Sequence, residues 1–257
     1  MEDNNNQNNW GGYWYTYDDL GSGGDSYVVP WSEARWTAAG LSPEPFFMQS
    51  PGRTGDGYAA RMTGYVTTMF QYGFVGMGTS FVDPKGPIDL STCTGISLWQ
   101  KGDGKTYRMK ISSSHPNFIL GDSDNHYGYA FVSTNDWTQI DILMTSLTQD
   151  PYWGASVNLS DALSMATSIQ FQTSGQPHDS IELWIDEIDI YGCSSYPITE
   201  TPTFTEIPTP TWTSTEVPVC NCPAWFGKKT AGNIPFDISG YFNSCKYRLL
   251  EDGTINS

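Results

Sequence analysis

The chain has 257 residues and carries 28 acidic against 12 basic side chains, a formal net charge of -16 that repels phosphate backbones and anionic headgroups and argues against nucleic acid or membrane surfaces as partners. No run approaches the roughly 18–20 apolar residues that a membrane-spanning helix needs, so no membrane insertion is expected. Aromatic residues make up 14% of the chain against only 16% charged ones, with ten Trp and fifteen Tyr, a balance suited to flat, neutral, hydroxyl-rich ligands held by stacking and hydrogen bonds.

MEDNNNQNNW lacks both a basic start and an apolar run, so it is not a signal peptide. The Thr/Pro-rich stretch described below, with five cysteines, nevertheless predicts a secreted, extracellular protein whose export signal lies off this chain. WGGYWYTYDD predicts a first strand with Trp10, Tyr13, Trp14, Tyr15 and Tyr17 spread over both faces, about half of the rings packing a core. Asp18, Asp19 and Asp25 follow among glycines, leaving two readings: a calcium-binding loop or a solvated acidic turn.

GDGYAARMTGYV and FQYGFVGMGTSFV predict two short strands broken by glycines. In GISLWQKGDGKTYRMKISS, Ile96 and Leu98 alternate with Ser97 and Trp99, a GDGK turn follows, and Tyr107, Met109 and Ile111 alternate with Arg108 and Lys110. That pattern predicts a β-hairpin, with Trp99 in a structural role. HYGYAFV is the next strand, and Trp137 opens another at DWTQIDI, again as a structural ring. After the loop LTQDPYWG, a short helix is predicted near Leu159–Ala166, then the strand SIQFQT, with Ile169, Phe171 and Thr173 on one face and Ser168, Gln170 and Gln172 on the other.

IELWIDEIDIYG, residues 181–192, begins with Ile181, Leu183 and Ile185 alternating against Glu182, Trp184 and Asp186. The next apolar residues are Ile188 and Ile190, so the parity breaks and predicts a β-bulge near Asp186 and Glu187. Nine or ten short strands with one brief helix argue for an all-β fold, an antiparallel two-sheet β-sandwich or jelly roll over residues 1–193. Residues 194–219 form a Thr/Pro-rich linker, and 220–257 a short Cys-containing segment too small for an independent core, to which no function is assigned. Cys93 and Cys193 flank elements that would neighbour each other in a sandwich, which leaves a disulfide or two idle thiols.

The order EDNNNQNNWGGYWYTYDD, GYAARMTG, GMGTSF, DLSTCTGISLWQKGDGKTYRMKI, DWTQIDILMTSL, SIQFQT and LWIDEIDIYG resembles the family 11 carbohydrate-binding modules and the related complex I intermediate-associated protein 30 domains. The resemblance implies a jelly roll whose concave face takes a β-glucan chain, with modules of this kind usually joined through linkers to secreted glycoside hydrolases. Matched by order, it implies carbohydrate-binding roles for Tyr13, Tyr72, Phe74, Asp122, His126, Tyr152 and Trp153. Gln170 and Gln172 join them as floor groups on the polar side of their strand, whereas Thr173 stands where the family has a cleft tyrosine. It also implies a structural Ca2+ joining the first and last strands, with Glu2 or Asp3 and Asp186 as ligands. Such a hard cation takes about six to eight oxygens, which side chains and carbonyls at a bulge can supply.

Catalysis needs a constellation that the sequence does not offer. Three histidines, His115, His126 and His178, lack metal-ligand spacing, and there is no GxSxG. The expected function is therefore non-catalytic binding of a neutral polysaccharide by a monomer, the module targeting an attached or associated glycoside hydrolase, or a cell surface, to cell-wall glycan. Two alternatives stand beside it. One is a small glycoside hydrolase or lyase on the same fold, for which Asp122 with Glu182 is a guessed carboxylate pair; the other is a protein-assembly or adhesion domain.

Overall fold

The computed structural model describes residues 4–120, 125–175 and 177–194, and the strand backbones 239–242, 245–249 and 255–256; 119 and 120 are described as backbone only. The chain divides into two units, Met1–Thr201 and Pro202–Ser257. In the first, ten strands pair antiparallel in two five-stranded sheets.

Sheet A has the order β1-β4-β9-β6-β7, from β1 (Trp14–Asp18), β4 (Val75–Ser80), β9 (Ala166–Thr173), β6 (Thr106–Ser113) and β7 (Tyr127–Val132). Sheet B has the order β2-β3-β10-β5-β8, from β2 (Tyr27–Val29), β3 (Ala60–Val66), β10 (His178–Tyr191), β5 (Gly95–Gly102) and β8 (Thr138–Leu143). Three short helices lie between strands: α1 (Glu33–Ala38), α2 (Pro116–Leu120) and α3 (Leu159–Leu163). Among the described residues no helix is long and apolar enough to cross a membrane. In the second unit β11 (Ser239–Phe242), β12 (Cys245–Leu249) and β13 (Ile255–Asn256) pair as a small antiparallel sheet.

The core forms where the period-2 apolar positions of the two sheets meet. Met77, Tyr107, Met109, Ile169 and Phe171 of sheet A face Met62, Ile96, Leu98, Leu183 and Ile185 of sheet B, all fully buried. Each such side chain is worth about 1.5–3 kcal/mol when removed from water. In β1 only Trp14 joins this core; Tyr15 and Tyr17 point outward by the alternation of the strand.

Two sequence expectations are revised. The GDGK segment does not close a hairpin: β5 pairs with β10 and β8 in sheet B, whereas β6 pairs with β9 and β7 in sheet A. The turn crosses between the sheets, and Asp103 holds it there, accepting from Lys105 N at 3.1 Å, Lys105 Nζ at 2.8 Å, Tyr107 Oη at 3.1 Å and Glu182 N at 3.0 Å. Local turn chemistry is the same for both outcomes, so the sequence could not separate them. The second revision is at the acidic turn, where Asp25 is exposed but Asp18 and Asp19 are not solvated. Asp18 binds Arg35 Nε at 3.0 Å and Ser32 Oγ at 2.9 Å, and the fully buried Asp19 accepts from Ser26 N at 2.9 Å and Ser26 Oγ at 2.6 Å.

The bulge is present. The pairing of β10 with β5 shifts between Asp186 and Asp189, and Glu187 has φ +46°, the left-handed region a non-glycine residue rarely enters. Cys93 and Cys193 are joined by a disulfide that ties the segment before β5 to the chain after β10, closing a separation of 100 residues.

Candidate functional site

The outer face of sheet A carries two aligned rows. Register places Tyr15, Gly78, Gln170, Lys110 and Gly128 side by side across the five strands, and Tyr17, Gly76, Gln172, Arg108 and Ala130 beside them. Each row therefore reads phenol, glycine, amide, cation, small residue. Neither row has room for a side chain at its glycine. A Cβ on Gly76 would stand 2.4 Å from the Tyr17 ring, and one on Gly78 would stand 2.7 Å from the Ile169 carbonyl oxygen and 2.9 Å from Gln170 Cγ.

Hydrogen bonds hold these groups in place. The Tyr15 hydroxyl donates to Ser168 Oγ at 3.2 Å and accepts from Gln170 Nε2 at 2.9 Å. Lys110 Nζ donates to Gln172 Oε1 at 2.6 Å and lies 5.8 Å from the Tyr17 ring centre, while Lys85 Nζ lies 5.7 Å from that of Tyr15. Arg108 donates to the Thr148 carbonyl. Burial lowers its pKa from the ordinary guanidinium value, partly offset by the nearby Asp150 carboxylate.

Aromatic side chains stand at both ends of the rows. Beside Tyr17, Phe74 lies 6.1 Å away ring to ring; the adjoining loop exposes Tyr72 (69% exposed) against Phe70 at 5.9 Å. Tyr13, 41% exposed, continues the outward alternation of β1. Beyond β6 and β7, the loop after Thr148 presents Tyr152 (96% exposed) and Trp153 (51%). That loop is pinned by the buried Asn125, whose side chain donates to Asp150 O at 2.9 Å and accepts from Asp150 N at 2.9 Å, and by Gln149 Nε2, which donates to Asn125 O at 2.7 Å.

The face thus brings together Gln170 and Gln172, with Phe74 and Tyr13 at the β1 side and Tyr152 and Trp153 on the opposite loop. His126 is placed otherwise: it is buried, its ring 4.7 Å from that of Phe118. Asp122 lies outside the described residues, as do Glu2 and Asp3. Glu182 is on the outer face of sheet B, bound by Arg61 Nη2 at 2.8 Å and Trp184 Nε1 at 2.9 Å, which removes it from this face. Thr173 points inward, where its hydroxyl bonds the Val75 backbone. Sequence reasoning singled out neither Tyr15 and Tyr17 nor Arg108, Lys110 and Lys85 as site residues. The signal was present in the alternation of Tyr13, Tyr15 and Tyr17 against Trp14 and of Arg108 and Lys110 against Tyr107 and Met109, once both strands are known to share a sheet.

Asp186, at the bulge, is 1% exposed and accepts from Arg53 N at 2.9 Å and Glu187 N at 2.8 Å. Burial pushes its pKa up, despite these two backbone donors. The Arg53 guanidinium turns to Glu187 at 2.7 Å and covers the Trp99 ring at 4.4 Å, so no cation among the described residues pairs with Asp186. Among the described residues no cluster of three or more His, Cys, Asp or Glu is arranged to hold a metal.

Two five-stranded antiparallel sheets packed face to face form a jelly-roll β-sandwich. Residues 5–185 match the family described as complex I intermediate-associated protein 30, and the chain belongs to that family. Among solved structures it is similar to the family 11 carbohydrate-binding module of a cellulosomal cellulase of Clostridium thermocellum, at 18% identity and a TM-score of 0.46, covering 70% of this chain and 88% of that one. A second structure of the family 11 module from that organism, in complex with a β-1,3-1,4-mixed-linked tetrasaccharide, has 18% identity and a TM-score of 0.44, covering 70% and 89%. The family 30 module of another Clostridium thermocellum cellulosomal cellulase has 14% identity and a TM-score of 0.42, covering 58% and 82%. No curated protein matches the chain in sequence.

Proposed function

We propose that the protein is a non-catalytic polysaccharide-binding module, and that its ligand is a neutral glycan of β-glucan type lying along the two rows of sheet A. The observation that carries this reading is the alignment itself. Phenols, amides and cations repeat in register across the five strands of the sheet, glycines clear the space between them, and exposed rings stand at both ends. Ring faces cover the CH faces of a sugar, while amides and ammonium groups pair with its hydroxyls. The cations favour hydroxyls over free anions because Lys110 is already shared with Gln172 and the Tyr17 ring, and Arg108 with a carbonyl. Glycoside hydrolysis needs two carboxylates about 5–10 Å apart across the scissile bond, whereas the described floor residues are phenols, amides, hydroxyls and cations.

We propose in addition a structural Ca2+ held by Asp186 with Glu2 or Asp3. Among the described residues the buried Asp186 carboxylate is met by two neutral backbone donors, which is costly in low dielectric, and a hard cation would compensate it. We place the module outside the cell, tethered through residues 194–219 to an enzyme or surface whose local substrate concentration it raises.

The test is affinity electrophoresis of the full chain through gels containing β-glucan, xyloglucan, xylan or mannan, with and without EDTA. Retardation in β-glucan, abolished by combined Tyr15→Ala and Tyr17→Ala substitution, is the expected result. Unretarded migration in every gel, together with no pull-down on insoluble cellulose, would overturn the reading and favour a protein-assembly role.

A further inference from the structure

A second ligand site is built beside β2, the edge strand of sheet B. Val29, Pro30, Trp31, Trp36, Pro45 and Phe47 line a hollow of about 140 Å³ whose one charged lining residue is Glu44. The indoles of Trp31 and Trp36 form its corner, with centroids 4.8 Å apart and planes at 54°. Helix α1 sets Trp36 there, its start capped by Ser32 Oγ, which accepts from Arg35 N at 3.2 Å. Trp31 is locked from the other side. Its Nε1 donates to the Tyr27 hydroxyl at 2.6 Å, and Tyr27 is stacked on Tyr65 at 5.5 Å.

Charge sets this corner apart from the rings that carry the protein's own cations: Arg53 on Trp99, Arg61 and Lys101 on Trp184, Lys101 on Trp137, Lys85 on Tyr15, Lys110 on Tyr17. The nearest element's arginine, Arg35, is spent on Tyr27, Asp18 and the Ser26 carbonyl. Among the described residues no Lys or Arg covers Trp31, Trp36 or Phe47, and none forms an ion pair with Glu44. The hollow therefore offers aromatic faces and a carboxylate with no resident cation among the described residues, on a chain of net charge -16.

We propose that this hollow binds the methylated ammonium group of a small ligand. Ring quadrupoles attract a cation whose methyl groups also pack against apolar walls, and Glu44 adds the opposite charge. A sugar fits less well, because its hydroxyls need several polar partners and the lining is almost wholly apolar. Size agrees: the hollow is under half of the roughly 300 Å³ at which drug-sized pockets begin, room for one headgroup. Choline and N-trimethylated lysine are two sources of the same chemistry.

Proton–nitrogen correlation spectra of the full chain resolve the question through the indole N–H signals of its ten tryptophans. Trp31→Phe and Trp36→Phe assign the two that matter. Tetramethylammonium, choline and free trimethyllysine are each titrated, beside 3,3-dimethyl-1-butanol, the neutral carbon isostere of choline. The cations should move those two signals with dissociation constants on the order of millimolar, the neutral isostere at least about tenfold more weakly. Glu44→Gln, an exposed change that leaves the other indole signals in place, should weaken the cations by about tenfold and leave the isostere unaffected. Whichever of choline and trimethyllysine binds more tightly names the source, and either order supports the site. The proposal is overturned if the isostere binds as well as choline, if cellobiose moves the same two signals, or if the cations leave them still.

Discussion

Tyr17 lies across Gly76 of the neighbouring strand, so close that a Cβ at position 76 would stand 2.4 Å from the phenol Cζ. The ring's place on the face is thus set by a residue that offers no side chain. Gly76→Ala should displace Tyr17 and weaken glycan retardation by roughly tenfold, about 1.4 kcal/mol, with little loss of thermal stability, since the phenol can swing outward. Tyr17→Ala should cost a similar factor, and the double variant no more than either alone, because both remove one arrangement. Additive losses in affinity electrophoresis would show that Gly76 acts through something other than Tyr17.

The fold class was legible because short stretches alternate cleanly, Tyr107, Met109 and Ile111 inward against Arg108 and Lys110, and Ile169 and Phe171 inward against Gln170 and Gln172. The bulge was legible for the same reason: one inserted residue visibly shifts the parity between Ile185 and Ile188. Pairing was not legible. Whether GDGK joins neighbours or crosses the sandwich depends on Asp103 reaching Glu182 N, 79 positions away in sequence, which no local pattern encodes. The site suffered from the same gap. Gln170 and Gln172 were recognisable as an outward pair, but Tyr15, Tyr17, Arg108 and Lys110 become floor residues only when β1, β4, β9 and β6 are placed in one sheet. Helix α1 was missed because six residues with no buried side chain leave no 3.6-residue stripe to read.

Asp103 ties the crossing turn to both sheets, and its removal should be costly. Burial by itself would raise its pKa, but hydrogen bonds from Lys105 and the Glu182 backbone, with the Lys105 charge, hold it below the ordinary carboxylate value. Glu182 behaves alike: burial opposes ionisation, while bonds from Trp184 and Arg61 outweigh it and lower its pKa. A carboxylate with a depressed folded-state pKa stabilises fully above its unfolded value, near about 4, and loses that contribution as pH falls through the folded value. Melting temperature should therefore fall steeply below about pH 4, and less steeply in Asp103→Asn. At neutral pH, Asp103→Ala leaves the Glu182 N–H without its acceptor, whereas the buried Tyr107 hydroxyl keeps the Glu182 carbonyl at 3.2 Å. The substitution should cost about 1–3 kcal/mol in urea unfolding. An unchanged midpoint would mean that water replaces the carboxylate.

The disulfide between Cys93 and Cys193 closes a separation of 100 residues and anchors the end of β10 beside the start of β5. For a loop of that length the chain-entropy account gives about 4–5 kcal/mol of stabilisation, acting on the unfolded state. Cys193→Ser, or dithiothreitol at neutral pH, should lower the urea midpoint accordingly while leaving glycan retardation at low denaturant unchanged, because neither cysteine approaches sheet A's outer face. A loss of binding without a loss of stability would contradict that separation.

Calcium, if held as proposed, acts at Asp186 and so on the bulge where β10 changes its pairing with β5. Adding EDTA to calcium-loaded protein should lower the melting temperature by several degrees, since a ligand present at 100 times its dissociation constant contributes about 2.7 kcal/mol. Asp186→Asn keeps the volume and an acceptor for one of the two amides, Arg53 N on Oδ2 or Glu187 N on Oδ1, turns an NH2 group toward the other, and removes the charge a cation needs. This variant should melt at one temperature with or without calcium. If the native chain is equally indifferent to EDTA and binds no calcium in equilibrium dialysis, the buried carboxylate is a structural acceptor for the bulge, and Asp186→Asn should then cost about 1–3 kcal/mol, because one of the two backbone amides loses its acceptor.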